Sequence, residues 1–225
     1  MKQKNSKPVS RALSVTVKTA RKRKLSSTRW LQRQLNDPYV LESKRLGYRS
    51  RAAFKILEII EKFNIIKKHH RVVDLGAAPG GWTQVAADIV GPRGYVLGLD
   101  ILEMDAIPNA DVYVRDIFAE DTLSFIQQTL GGKADVVLSD MSPSTTGHRS
   151  TDHIRIIALV EAALDVAFPV LKPGGTFVAK VFQGGADQEL LKLVKERFQS
   201  VKHFKPESSR KDSPETYLIA QKFLG

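Results

Sequence analysis

The chain has 225 residues, 42% hydrophobic and 26% charged, which suits one globular domain with its own core plus a tail. It contains no cysteine, which excludes disulfides and thiolate metal sites and fits a reducing compartment, and no apolar run long enough to span a bilayer. The net charge of +11 is uneven: residues 1–33 hold eleven Lys and Arg with no acid before Asp37, and the remaining 24 Lys and Arg balance the 24 Asp and Glu.

Residues 1–25 therefore read as a basic tail, disordered alone and attracted to phosphate backbones, with 26–225 as a single domain. Lys22, Arg23, Lys24 and Arg29 are candidate RNA contacts; a solubilising tail or an organelle-targeting segment is the alternative. Ser26-Ser27-Thr28 can cap a short helix through Leu35, which Asp37-Pro38 breaks. Residues 46–50 (LGYRS) form a basic turn, and Arg49 and Arg51 join the candidate RNA contacts. Ser50 is expected to cap a helix of about three turns with Phe54, Leu57, Ile60 and their neighbours inward. Alternation follows: strand 71–75, a helix from 81, strands 94–100 and 111–115, a helix near 119–130, strand 135–139, helix 152–171, strand 175–182, helix 187–198, and strands near 200–204 and at 215–221. This is a doubly wound α/β sheet. The last two strands have no helix between them, so one of them should run antiparallel.

Residues 72–85 (VVDLGAAPGGWTQV) carry most of the functional signal. A strand that passes through a Gly-rich turn into a helix N-terminus is a nucleotide-type cofactor site. A dinucleotide loop needs Gly where Ala78 stands, and Pro79 removes a donor. A P-loop needs Lys where Trp82 stands. Both phosphate readings weaken, which favours S-adenosylmethionine, a cofactor without phosphate. Gly76 and Gly80 shape the turn. Asp100, 24 residues beyond Gly76 at the end of the next strand, is placed to hold ribose hydroxyls. Asp116, at the end of the third strand, could accept from an adenine amino group, though a strand-end Asp is often only a turn residue.

Asp140 follows strand 135–139 and so lies in the ligand crevice. Lys180 sits among Phe177, Val178, Val181 and Phe182, where a lysine is costly to bury alone; snorkelling at a strand edge is the plain alternative. Lys55 lies in the apolar stretch 52–60 and Glu215 begins the last strand; a solvated helix face and an ordinary edge acid are the plain readings of these two.

SRAAFKILEI, VVDLGAAPGGW, LGLDI, VLSDMSP, FVAKVFQGG and SSRKDSPETYLIA, in that order, resemble the FtsJ/RrmJ family of ribose 2'-O-methyltransferases, over Ser26 to the C-terminus. The bacterial members that modify a uridine of 23S ribosomal RNA are the nearest in motif. The resemblance implies a Rossmann-like, seven-stranded mixed sheet, S-adenosylmethionine as cofactor and the large ribosomal subunit as partner. With no oligomerisation signal visible a monomer is the default, and a cytoplasmic location is expected, or an organellar one if the basic tail is a targeting segment. It implies a Lys-Asp-Lys-Glu tetrad at Lys55, Asp140, Lys180 and Glu215, and cofactor contacts at Gly80, Trp82, Asp100, Asp116 and Asp140. Ser142 and Ser144 stand where the family usually has Ala and Asn, and the basic tail is longer than in the best-known members.

A ribose 2'-hydroxyl is a very weak acid, whereas a sulfonium methyl is already electrophilic. In-line alignment and a base are the needs, and a neutral lysine can be that base. Burial and a second cation favour the neutral amine, and carboxylates oppose it. Lys180 is therefore expected to accept the proton, and no metal is required. Transfer RNA or cap substrates, and a non-catalytic ribosome-assembly factor, are the alternatives; a cap enzyme would need an aromatic cluster that the 8% aromatic content does not suggest.

Overall fold

The computed structural model describes residues 25–143, 146–183 and 188–225. Lys22, Arg23, Lys24 and Ser144 lie outside them, as does the basic tail but for its last residue.

Seven strands form one sheet: β1 (Arg71–Leu75), β2 (Tyr95–Asp100), β3 (Asp111–Val114), β4 (Ala134–Ser139), β5 (Leu171–Phe182), β6 (Phe198–Phe204) and β7 (Glu215–Phe223). Their order is β3-β2-β1-β4-β5-β7-β6. The first five are parallel, and β7 runs antiparallel to both β5 and β6, between which it lies. The helices are α1 (Leu25–Leu35), α2 (Pro38–Leu46), α3 (Ala52–Phe63), α4 (Gly81–Val90), α5 (Thr122–Leu130), α6 (Arg149–Val170) and α7 (Gln188–Arg197).

The inner strands β2, β1, β4, β5 and β7 are buried on both faces, as their apolar runs require, while the edge strands β3 and β6 are largely exposed or half-buried. Val73, Leu97, Val137, Phe177 and Leu218 point into one core with α5, α6 and α7. Their neighbours Val72, Val96, Val136, Val178 and Ile219 point into the other, with α3 and α4. This period of two sends Lys180 to the α3 side with Val178.

Three local expectations change. Ser26, Ser27 and Thr28 lie inside α1 rather than ahead of it as a cap. Asp37-Pro38 ends α1 but also starts α2: Asp37 caps it, accepting from Tyr39 N, and Pro38 occupies its first turn. Ser50 does not cap α3; that position is Arg51, without a side-chain cap bond, and the Ser50 hydroxyl is buried against Gly81. The fully buried stripe of α3 is Ala53, Ile56 and Ile59, the neighbours of Phe54, Leu57 and Ile60, which are partly buried. Phe54 is half-buried and packs at the helix edge on the rings of Tyr39 and Tyr48.

Candidate active site

The chain reverses direction in the sheet between β1 and β4, so a crevice opens at their carboxyl ends. The Gly-rich loop lies there. Gly76 N and Ala77 N both donate to Leu99 O, which ties the loop to β2. Gly76 (φ +76) faces Met141, leaving no room for a side chain. Gly80 (φ +100) is the N-cap of α4, and a Cβ there would meet Ile107 Cδ1 at 2.6 Å and Arg49 Cδ at 2.9 Å. Gln84 N is bonded to Gly80 O, so the earlier N–H groups of α4 have no partner within the helix.

Asp100 and Asp116 stand at the tips of adjacent strands, linked through Arg115 N to Asp100 O at 2.7 Å. Asp100 is held by Ala78 N (2.9 Å) and Leu102 N (2.9 Å). Asp116 accepts from Phe118 N at 3.0 Å, which is the turn role foreseen as its plain reading. Two carboxylates beside a helix N-terminus suit hydroxyl, amino and ammonium donors, not a phosphate. That donor set fits a nucleoside with an amino-acid tail.

Below the loop, Asp74 is fully buried; Oδ2 accepts from the Thr83 hydroxyl at 2.6 Å, and Oδ1 has no partner. Burial raises its pKa to about 7, reinforced by Asp140 and Asp100 and opposed by the Thr83 bond.

The four residues of the expected tetrad converge on the α3 side of the sheet. Lys180 on β5 is directly opposite Tyr217 on β7, and Glu215 lies two residues before Tyr217 on the same face. Lys180 is 5% exposed, and its Nζ contacts Asp140 Oδ1 at 3.1 Å and donates to Asp140 O at 2.6 Å. Lys55 reaches down from α3 to Glu215 Oε2 at 2.9 Å. Burial pushes the Glu215 carboxyl up, but Lys55, then Lys180, more than offset it and hold it below the usual range. A concavity of about 360 Å³ (Arg33, Arg51, Lys55, Arg210, Glu215) and one of about 790 Å³ (Ser142, His153, Phe182, Lys205, Lys211, Glu215) flank this centre.

Tyr217 is the residue that sequence reasoning missed. Its hydroxyl donates to Asp140 Oδ1 at 2.9 Å, its ring lies 5.8 Å from Lys55 Nζ, and burial, then Asp140 and Glu215, raise its pKa well above the usual value. It joins the two ion pairs. Its place two residues after Glu215 in a strand was the available signal.

Trp82 is a brace. It is 2% exposed, donates from Nε1 to Ala52 O at 2.9 Å, and packs on Tyr217 with ring centroids 5.4 Å apart. Arg49 donates to Asp105 O (2.8 Å) and to Ala106 O, fastening the β2–β3 loop over Gly80. Arg51 is bound to Asp37 and to Ser208 O, and Arg210 reaches the same Asp37 oxygen. The guanidinium groups of Arg49 and Arg51, the candidate RNA contacts of the sequence, are thus each engaged by protein acceptors. Arg29 lies on α1.

A family model described as FtsJ-like methyltransferase matches residues 48–223. The chain belongs to this family. It is 61% identical over 221 residues to ribosomal RNA large subunit methyltransferase E of Paramagnetospirillum magneticum, covering 96% of this chain and 91% of the relative. It is 53% identical over 211 residues to the protein of the same name in Rickettsia bellii, covering 92% and 93%. A Plasmodium falciparum crystal structure described as a ribosomal RNA methyltransferase superposes with a TM-score of 0.69 at 29% identity, covering 79% of this chain and all of that one.

Proposed function

We infer that this FtsJ-like methyltransferase transfers a methyl group from S-adenosylmethionine to a ribose 2'-hydroxyl of large-subunit (23S) ribosomal RNA, at a uridine. The observation that carries the reading is the junction of two Lys–carboxylate pairs at Tyr217, beside the strand ends that carry the Gly loop. The names of its relatives support ribosomal RNA as substrate.

S-adenosylmethionine, when bound, supplies an electrophilic methyl. Gly76, Gly80, the first turn of α4, Asp100, Asp116 and Asp140 are the residues that would hold it. Lys180, in its neutral amine form, accepts the proton of the ribose hydroxyl at Nζ as the methyl carbon passes from sulfur to that oxygen, and becomes the ammonium that pairs with Asp140. Asp140 and Tyr217 fix the direction in which that Nζ points. Lys55, held by Glu215, stands on the cleft side as the second cation. The basic residues 1–25 bring the RNA phosphate backbone to the protein. The chain acts as a monomer in the cytoplasm.

Transfer of radiolabelled methyl to large-subunit RNA, with 2'-O-methyl mapping in cells with and without the protein, tests the reading. Label on transfer RNA alone, or binding without transfer, would replace it with the other substrate or with an assembly role.

A further inference from the structure

At the amino ends of the parallel strands, opposite the active site, a concavity of about 770 Å³ is lined by Arg71, Arg93, Lys133, Lys172, His69 and His70. The intervening strands are five to six residues long, which separates it from the active-site edge by about 16 to 20 Å.

Asp135 is the one acid among its described lining residues, and it is already neutralised. Its Oδ2 accepts from Arg71 N at 2.7 Å, and its Oδ1 is salt-bridged to Lys172. Arg71, Arg93 and Lys133 have no carboxylate partner among the described residues. The Arg71 guanidinium lies over Gly132, Arg93 donates to His69 Nε2 at 3.2 Å, and Lys133 donates to Pro169 O at 2.6 Å. All three residues are exposed, and Lys67 and Lys68 add exposed charge before β1. The chain beyond residue 33 is formally neutral, so this surplus is local. A concave surface of one sign focuses its field on a polyanion.

We propose that this concavity is a second RNA-binding surface that grips phosphates of the same RNA whose ribose enters the active site. The inference rests on the ribosomal-RNA reading, because only a macromolecular substrate spans both ends of the sheet.

Arg71→Gln, Arg93→Gln and Lys133→Gln are combined, leaving Lys172 to neutralise Asp135. A control of equal charge combines the exposed Lys192→Gln, Lys195→Gln and Lys222→Gln. Binding of deproteinised large-subunit RNA is measured against salt, with methyl transfer at saturating RNA. The expected result is a loss of about 2 in the slope of log K against log salt, roughly 0.7 for each of three single-strand contacts. The control should keep its slope, and both variants should keep wild-type transfer at saturation. An unchanged slope in the first variant, or an equal loss in the control, overturns the proposal. A wild-type protein that binds with this slope but transfers no methyl refutes the substrate reading and leaves the surface standing.

Discussion

Asp74→Asn isolates the buried carboxyl beneath the cofactor loop. With its pKa raised from 3.8 to about 7 in the folded protein, Asp74 is harder to ionise there by about 4 kcal/mol. Between these values the native state holds a proton that the unfolded chain has lost. The stabilising contribution is therefore complete below 3.8, falls by about 1.4 kcal/mol per pH unit, and is gone above about 7. Asparagine does not ionise, so this part of the pH dependence should vanish. The Thr83 hydroxyl keeps an acceptor in the variant, whereas the amide placed at the unpartnered Oδ1 position costs about 1–3 kcal/mol. The variant should thus be less stable than wild type near pH 4 and equal or superior near pH 8. On the melting temperature of a chain this size, the relative gain is about 10 °C. Thermal and urea unfolding followed by circular dichroism from pH 4 to 8 would measure it. Parallel stability curves for the two proteins would refute a raised Asp74 pKa.

Lys180→Ala should slow single-turnover methyl transfer by about two orders of magnitude or more with little change in cofactor affinity, and Lys180→Arg should not restore it because guanidinium stays protonated; a near-normal rapid-quench rate would remove Lys180 as the base. Gly80→Val should abolish cofactor binding in calorimetry, because the new side chain meets Ile107 and Arg49 at a positive φ; wild-type affinity in a folded variant would contradict the loop geometry. For Glu215→Gln the lowered carboxylate pKa gives the opposite sign to Asp74: the loss relative to wild type should be full at neutral pH and shrink as pH falls through 4.5 and below. Denaturant titrations at three pH values check this, and a constant difference would count against the Lys55–Glu215 pair. Tyr217→Phe should preserve the Trp82 contact but free Asp140, lowering the single-turnover rate more than RNA or cofactor affinity; an unaltered rate would make Tyr217 a packing residue only.

The sheet was legible because buried parallel strands are short apolar runs between Gly and Pro, and every strand appears near its expected place. Helix α2 was hidden because Asp37-Pro38 signals both an end and a beginning, and the breaking role drew the reading. Motif resemblance singled out Lys55, Asp140, Lys180 and Glu215, which the fold brings together. Their pairing was not legible, because which lysine meets which acid depends on the α3 docking angle and the β5–β7 register. Tyr217 escaped notice because an apolar-flanked tyrosine in a strand resembles core until Asp140 is seen beside its hydroxyl. The partners of Arg49 and Arg51 were not legible, because sequence shows charge but not the carbonyls and carboxylate that engage it.

The position of β7 bears on how the enzyme is made. Synthesis runs from the N-terminus, so β7 emerges after every other described strand, yet it occupies an interior place between β5 and β6. Until it arrives, β5 and β6 each present an unpaired edge, and α3 holds Lys55 without its acid. A nascent or prematurely terminated chain can thus carry the whole Gly loop and lack Glu215 and Tyr217 together. The fold couples completion of the sheet to completion of the candidate site, so a partial product exposes strand edges before Lys55 and Asp140 gain their β7 partners.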